Sequence, residues 1–324
     1  MVLTSKPKVS VIMPAFNGGR YIREAMNSVI AQTYRAFELI VVDDGSTDKT
    51  RDIVSDFIKE NRELPIRYLY QANRGAASAR NAGIADVRGE YIAFLDCDDV
   101  WFPHKLEVQV PALETDKSAG LVFGDIVSFG EGRVDTAPAS KIFDLSKIDK
   151  GISRLFAGNY ISTLTVMVKK ACLEKAGVFD ESVTIVEDYD LWLRIAKYCK
   201  IVYVDSLVAK YRVHPGNLSR ITKDNEEKLL LDMIKIRKRA LEQSPEILRE
   251  LSPGTLNRCY YKLYLNLATL RLKRGDRAGA RENIMRYVGF YRYNPVAYLA
   301  FMLTFVPLRI NELLWNFKER LSEK

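Results

Sequence analysis

The feature that most constrains this chain is an alternation across its first 110 residues, in which short apolar runs are followed by polar turns and helix-like stretches. Val9–Pro14, Phe37–Val42, Ile66–Gln71 and Tyr91–Leu95 read as strands; Arg20–Gln32, Lys49–Glu60 and Ala76–Ala85 carry a helical period. Continuous apolar strands are buried on both faces, and the helices between them supply the crossovers of an open, mainly parallel α/β sheet. In such a sheet ligands bind beyond the carboxyl ends of the strands. There the sequence puts Asn17, the pair Asp43 and Asp44, Asn73, and the trio Asp96, Asp98 and Asp99. Any one of these reads equally well as a helix cap or turn. Four in succession point to one shared site.

The most specific is the acidic trio after Tyr91–Leu95. Carboxylates leaving a buried strand need a counter-charge. A divalent cation supplies it, and hard oxygen ligands suit magnesium or manganese, which is held by one or two carboxylates and completed by phosphate oxygens. The implied ligand is a diphosphate. Asp43 and Asp44 sit at the neighbouring strand end, where a carboxylate accepts from a uracil N–H or a ribose hydroxyl. In Asn73–Asn81, Arg80 offers a cation for phosphate or base, and Gly75 lets backbone come close. Further on, Glu187 and Asp188 open an amphipathic helix, a position that capping favours as much as catalysis does. Arg212 and His214 follow a strand-like stretch, Ile201–Tyr211; Val122–Val127 and Thr163–Lys169 also read as strands, and Asp190–Tyr198 as helix.

Taken in order, VSVIMPAFNGGRYIREAMNSVIAQTY, FELIVVDDGSTDKT, NRGAASARNAGI, GEYIAFLDCDDVWFPHKLE, VEDYDLWLRIA and YRVHPGNLS resemble the family 2 glycosyltransferases from about Val9 to Ser219. The resemblance implies the nucleotide-sugar-binding fold called GT-A, followed here by an α-helical C-terminal extension. It implies that Pro14, Ala15 and Asn17 line a nucleoside pocket, with Asp43, Asp44, Asn73 and Arg80 holding base, ribose or phosphates. Asp96 and Asp98 match the family's Asp-x-Asp motif on the ribose and metal side, with Asp99 close by. Arg212 and His214 match a segment near the diphosphate, His214 as a further metal ligand. Asp188 matches the catalytic base of an inverting transfer. The cofactor is then Mn2+ or Mg2+, the donor a nucleotide sugar, with UDP the expected nucleotide, and the acceptor a glycan or lipid-linked hydroxyl. The Gln-x-x-Arg-Trp motif of the processive synthases is absent, so one sugar is added per encounter. Surface-polysaccharide or lipopolysaccharide assembly in a bacterium is the family-level expectation.

Charge divides the chain near residue 221. Residues 221–324 carry 20 basic and 12 acidic side chains, so the whole surplus of +8 lies there, the first 220 residues being balanced at 29 of each. The expected domains are 1–220, catalytic, and 221–324, helical, with a single tetratricopeptide-like hairpin in 256–294. Pro295–Leu308 holds no charge and is too short to span a bilayer. It reads as a core helix or, with the basic surplus, as a surface resting on an anionic membrane leaflet. Four scattered cysteines without a Cys-x-x-Cys pair argue against disulfides or zinc, and the polar opening argues against a leader, so a cytoplasmic location is expected, peripheral to the inner membrane face if that surface forms. No recognition motif accompanies the basic charge, which speaks against nucleic acid as a partner. The rival readings are a sugar nucleotidyltransferase, which lacks its glycine-rich triphosphate loop here, and a non-catalytic nucleotide-sugar-binding module of the same fold.

Overall fold

The computed structural model describes residues 7–130, 151–217, 222, 225–290 and 295–305. The chain folds as two compact units, Met1–Arg220 and Ile221–Lys324.

The first unit is built on β1 (Val9–Ala15), β2 (Phe37–Asp44), β3 (Ile66–Gln71) and β4 (Tyr91–Phe94). Every residue of β1, β2 and β4 is buried, as the unbroken apolar runs demand. β1 pairs in parallel with β2 (Ala15 opposite Asp43) and with β4 (Ile12 opposite Phe94), and β3 pairs in parallel with β2. Helix α1 (Ile22–Ile30) buries Ile22, Ala25, Met26 and Val29, the i, i+3, i+4, i+7 face of an amphipathic helix. Helices α2 (Thr50–Glu60) and α3 (Ala76–Ala85) make the next crossovers.

Beyond β4 the sheet becomes mixed. β5 (Val100–Trp101), α4 (Lys105–Thr115), β6 (Ala119–Gly130), α5 (Gly151–Ala157), β7 (Met167–Lys169), α6 (Lys170–Ala176), α7 (Glu187–Ala196) and β8 (Lys200–Val213) complete the unit. The strand order is β3-β2-β1-β4-β7-β6-β8-β5, with β7 antiparallel to β4 and β6, β8 parallel to β6, and β5 antiparallel to β8. β6 and β8 thus run in the direction of β1–β4, so the carboxyl end of β8 emerges at the same edge of the sheet and brings Arg212 and His214 to the acidic trio. The expected strand Thr163–Lys169 is split: Thr163–Thr165 is a 3-10 turn and only Met167–Lys169 pairs in the sheet. The reason lies in side chains of β5 and α4 that take the turn's carbonyls, described below.

The absence of disulfides is also corrected. Cys172 in α6 and Cys199, just before β8, form a disulfide across 27 residues of chain, while Cys97 and Cys259 are free. Spacing in the sequence did not show it because the pair meets only after α7 folds back, around Gly120, where an added Cβ would strike both sulfurs.

The second unit is helical throughout its described residues: α8 (Glu226–Gln243), α9 (Glu246–Glu250), α10 (Pro253–Leu256) running through a π turn at Asn257–Tyr261 into α11 (Lys262–Lys273), then α12 (Arg277–Phe290) and α13 (Pro295–Leu303). Ala268, Leu272, Ala280 and Ile284 close the α11–α12 hairpin, and Gly275 makes its turn at φ 84°. On and after α13, Tyr298, Leu299, Met302 and Phe305 are each about half exposed, at 47 to 59%. Residues 306–308 of the apolar run lie outside the described residues. Among the described residues no helix is long and apolar enough to cross a membrane.

Candidate active site

The cradle at the carboxyl ends of β1 to β4 is held together by its own polar groups. Asn17 adopts φ 51°, a left-handed conformation that asparagine tolerates. Its N–H donates to Ser46 Oγ (2.9 Å) and its Oδ1 accepts from Thr47 N–H (2.9 Å). Asp48 accepts from Gly19 N–H and Thr50 N–H, so it ties the Gly18-Gly19 turn to the start of α2. Pro14 and Ala15 end β1 opposite Val42 and Asp43.

Asp43 and Asp44 are buried, and both carboxylates are engaged by the protein. Asp43 accepts from Ser46 N–H (2.8 Å) and the Tyr68 hydroxyl (2.7 Å). Asp44 accepts from Gln71 Nε2 (2.7 Å), Arg74 N–H (2.9 Å) and Gly75 N–H (2.7 Å), which folds the Asn73–Gly75 loop against β2. Gly45, at φ 78°, lies where an added Cβ would stand 2.7 Å from the Asn73 nitrogen. The two carboxylates thus shape the pocket wall before they can meet any ligand.

Arg80 also departs from the sequence expectation. It is not a free cation awaiting a phosphate: it is 5% exposed, with NH1 donating to Glu187 Oε1 and NH2 to Asp96 Oδ1, each at 2.7 Å, and its guanidinium over the Phe179 ring. Sixteen residues downstream Asp96, and across the fold Glu187, supply the counter-charges that burial of a guanidinium requires. Arg80 therefore ties the end of β4 to the start of α7.

The acidic trio separates into different tasks. Asp98 Oδ2 lies 2.9 Å from His214 Nε2. His214 Nδ1 accepts from Gly216 N–H, which assigns the proton to Nε2 in the neutral ring. Asp99 is 1% exposed and its Oδ1 accepts from Arg212 N–H (2.8 Å). One of its oxygens, expected among the metal ligands, is thus taken by the backbone of β8. Arg212 donates from Nε to Asp98 O and from NH2 to Glu24, sandwiched between the rings of Tyr21 and Phe129. Burial, and then the charge of Asp96, raises the Asp98 carboxyl above its ordinary range, against the pull of His214. Burial and the charges of Asp98 and Asp96 raise Asp99 well above its own. Carboxylates crowded in this way repel one another, and a cation beside them relieves the repulsion.

Among the described residues no group of three or more His, Cys, Asp or Glu side chains is arranged to hold a metal alone. Asp98 and His214 are paired with each other, so Asp98 and Asp96 offer carboxylate oxygens to a cation, and the ring would join them only in its other tautomer, with the Gly216 contact released. Such a partial shell fits a magnesium or manganese ion completed by diphosphate oxygens.

Asp188 lies in the first turn of α7. Its Oδ2 accepts from the Thr163 hydroxyl (2.7 Å) and its Oδ1 from Tyr189 N–H (2.6 Å), and the residue as a whole is half-buried. Burial, then the charge of Glu187, pushes its carboxyl up to about 6, while Thr163, Arg80 and the Tyr189 N–H oppose the rise. A carboxylate poised near neutrality and oriented by one hydroxyl and one N–H is suited to accept a proton. Thr163, Tyr21, Phe129 and Glu24 carried no signal in the sequence. Each lies in an ordinary stretch and matters only through what it touches.

A family model described as glycosyl transferase family 2 matches residues 10–174, just over half of the chain. The chain belongs to glycosyl transferase family 2. The family 2 region is 33% identical over 214 residues to the Escherichia coli UDP-Glc:alpha-D-GlcNAc-diphosphoundecaprenol beta-1,3-glucosyltransferase WfaP, covering 65% of this chain and 79% of that one. It is 32% identical over 220 residues to TuaG of Bacillus subtilis, a glycosyltransferase named for teichuronic acid biosynthesis, covering 66% and 82%. It is 34% identical over 218 residues to an uncharacterized glycosyltransferase of Rickettsia typhi, where it spans 65% of each chain. In fold it is similar to residues 1–349 of TarS from S. aureus, with a TM-score of 0.61 at 19% identity, covering 96% of this chain and 92% of that one. A Pyrobaculum calidifontis mannosyltransferase in complex with GDP-Man and Mn2+ gives a TM-score of 0.60 at 18% identity, covering 93% and 85%. These likenesses establish the GT-A-like fold of the family 2 domain.

Proposed function

We propose that this family 2 protein is an inverting, non-processive transferase that moves one sugar from a nucleoside-diphosphate sugar to an acceptor hydroxyl in the assembly of a bacterial surface polysaccharide. The observation that carries the reading is Asp188. It is a carboxylate poised near neutrality, whose neighbour Glu187 is tied through Arg80 to Asp96 of the acidic trio. WfaP is named as using UDP-Glc, and TarS has been solved with UDP-GlcNAc, which supports a UDP-sugar donor.

In this reading Pro14, Ala15, Asn17 and the Asn73–Gly75 loop line the nucleoside pocket, with Asp43 and Asp44 forming its wall. Asp96 faces the ribose side, and Asp98 would hold Mn2+ or Mg2+, with His214 joining it in the tautomer that frees Nε2. Arg212, neutralised in part by Glu24, flanks the diphosphate. When bound, the cation supplies positive charge against the departing diphosphate. Asp188 takes the proton from the acceptor hydroxyl as that oxygen bonds to the anomeric carbon, and the nucleoside diphosphate leaves from the opposite face. A single displacement of this kind needs no enzyme nucleophile.

The test is Asp188→Asn. Transfer is expected to fall by more than about 100-fold, the range general-base catalysis spans, while UDP binding with Mn2+ persists. Near-normal turnover in that variant would remove the base from Asp188. Peripheral membrane contact through the second unit belongs to the same proposal, because an acceptor carried on a lipid makes it useful, and the exposed Tyr298, Leu299, Met302 and Phe305 supply apolar surface for it. A cytoplasmic location facing the inner leaflet is part of the same proposal and rests on the lipid-carried acceptor, the cysteine argument for it being removed by the Cys172–Cys199 link.

A further inference from the structure

The segment that continues from the acidic trio reaches across to the turn that holds Asp188. Trp101 Nε1 donates to Leu164 O (2.8 Å), Gln109 Nε2 to Thr165 O (2.7 Å), and Lys105 Nζ to Thr165 O (3.2 Å), Val166 O (3.5 Å) and Gln109 Oε1. Lys105, Gln109 and Thr165 are each 0% exposed and Trp101 2%, with the Lys105 amine 4.5 Å from the centre of the Trp101 ring. The 3-10 turn uses Thr165 N–H and Val166 N–H on the Ser162 and Thr163 carbonyls. Three consecutive carbonyls of the turn are thus taken by side chains of β5 and α4. The same turn presents Thr163, whose hydroxyl donates to Asp188.

A fully buried lysine with no carboxylate partner among the described residues is an expensive way to fill space. Burial pushes the Lys105 amine well below its ordinary range. A leucine or methionine would pack the same volume. What neither would do is hold two backbone carbonyls and orient Gln109.

We propose that Trp101, Lys105 and Gln109 form a positioning clamp for the proposed base: by fixing the carbonyls of Leu164, Thr165 and Val166 they hold Thr163 against Asp188. The clamp grows from the chain directly after Asp96–Asp99, so it also couples the donor-side loop to the acceptor-side carboxylate. It rests on the reading of Asp188 as base, and acts through Thr163 rather than on any substrate.

The experiment follows the Asp188 carboxyl by carbon NMR of aspartate-labelled full-length protein, the resonance being assigned by its loss in Asp188→Asn. The groups facing that carboxyl are Glu187, Arg80, the Thr163 hydroxyl and the Tyr189 N–H. In Thr163→Val the midpoint is expected to rise by about one pH unit, the effect of losing one hydrogen bond to a charged group. In Lys105→Met, which keeps the length of the side chain, the midpoint is expected to rise in the same direction with the thermal midpoint held or increased. Trp101→Phe removes only the indole N–H and gives a smaller rise, and it serves if Lys105→Met does not fold. An unmoved midpoint in Thr163→Val, or in the folded clamp variants, overturns the clamp. Near-normal transfer by Asp188→Asn instead overturns the base reading and leaves the measured coupling standing, so the two failures are told apart.

Discussion

At the scale of single residues the site is a set of charges held in compensating contacts, and each contact has a measurable cost. The carboxyl of Asp188 is raised to about 6, so the folded protein holds that proton more tightly than the unfolded chain does. Stability therefore falls as pH rises between about 4 and 6, and the cost is fully present above about pH 6. Asp188→Asn removes it. The variant is expected to be as stable as the parent at about pH 7, or more so by on the order of 1–2 kcal/mol. Urea unfolding at about pH 7 and about pH 4 checks this, the gain being confined to the higher pH. For the parent, transfer is expected to decline on the acid side with a midpoint near 6. Arg80 has the opposite character. Arg80→Met would leave Glu187, at 12% side-chain exposure, and Asp96, at 34%, without their cation. A loss of about 3 kcal/mol is expected in the same urea measurement, toward the low end for a broken buried pair because Asp96 is partly open to water. A loss below about 1 kcal/mol would mean that the bridge is not formed.

At the scale of elements, the loops matter more than the strands that carry them. Asp44 gathers the Asn73–Gly75 loop through two backbone N–H groups, and Gly45 leaves room for that loop to approach. Gly45→Ala is expected to cost about 1–3 kcal/mol through its left-handed backbone and the Asn73 contact. It should also weaken UDP binding, because the displaced loop lines the proposed nucleoside pocket; titration calorimetry with UDP and Mn2+ reads this directly. The Cys172–Cys199 link closes 27 residues that include α7. Two of the four thiols are expected to resist alkylation until reduction, and reduction should lower stability by about 3 kcal/mol on the chain-entropy account. Four reactive thiols in the untreated, denatured protein would show the link absent.

For the whole molecule, charge and apolar exposure point to one end of the chain. The basic surplus lies beyond residue 220, and the exposed Tyr298, Leu299, Met302 and Phe305 lie there too. Flotation with vesicles containing anionic lipid is expected to carry the protein, and added salt to release part of it. A protein that stays behind with every vesicle composition would end the membrane proposal and leave the transferase reading untouched. UDP together with Mn2+ at about 100 times Kd should raise stability by about 2.7 kcal/mol, visible as a thermal shift that either component alone does not reproduce.

The apolar runs determined the first half-sheet, because a strand buried on both faces is written locally in its own side chains. Blocks from Val9 to Ser219 were likewise enough for the family resemblance, since residues that serve one site recur in order along a chain. What the chain could not declare by itself was the partner of each charge. Arg80 and Asp44 looked free for a ligand and are engaged by Asp96, Glu187 and the Asn73–Gly75 loop; Asp99 looked like a metal ligand and holds Arg212; Cys172 and Cys199 looked unpaired. Thr163 gave no sign of its place beside Asp188. The physical reason is common to all of them. A charge or hydroxyl takes its meaning from what lies within about 3 Å of it, and the mixed half of the sheet brings Glu187, Arg212 and His214 to partners 107 to 116 positions away.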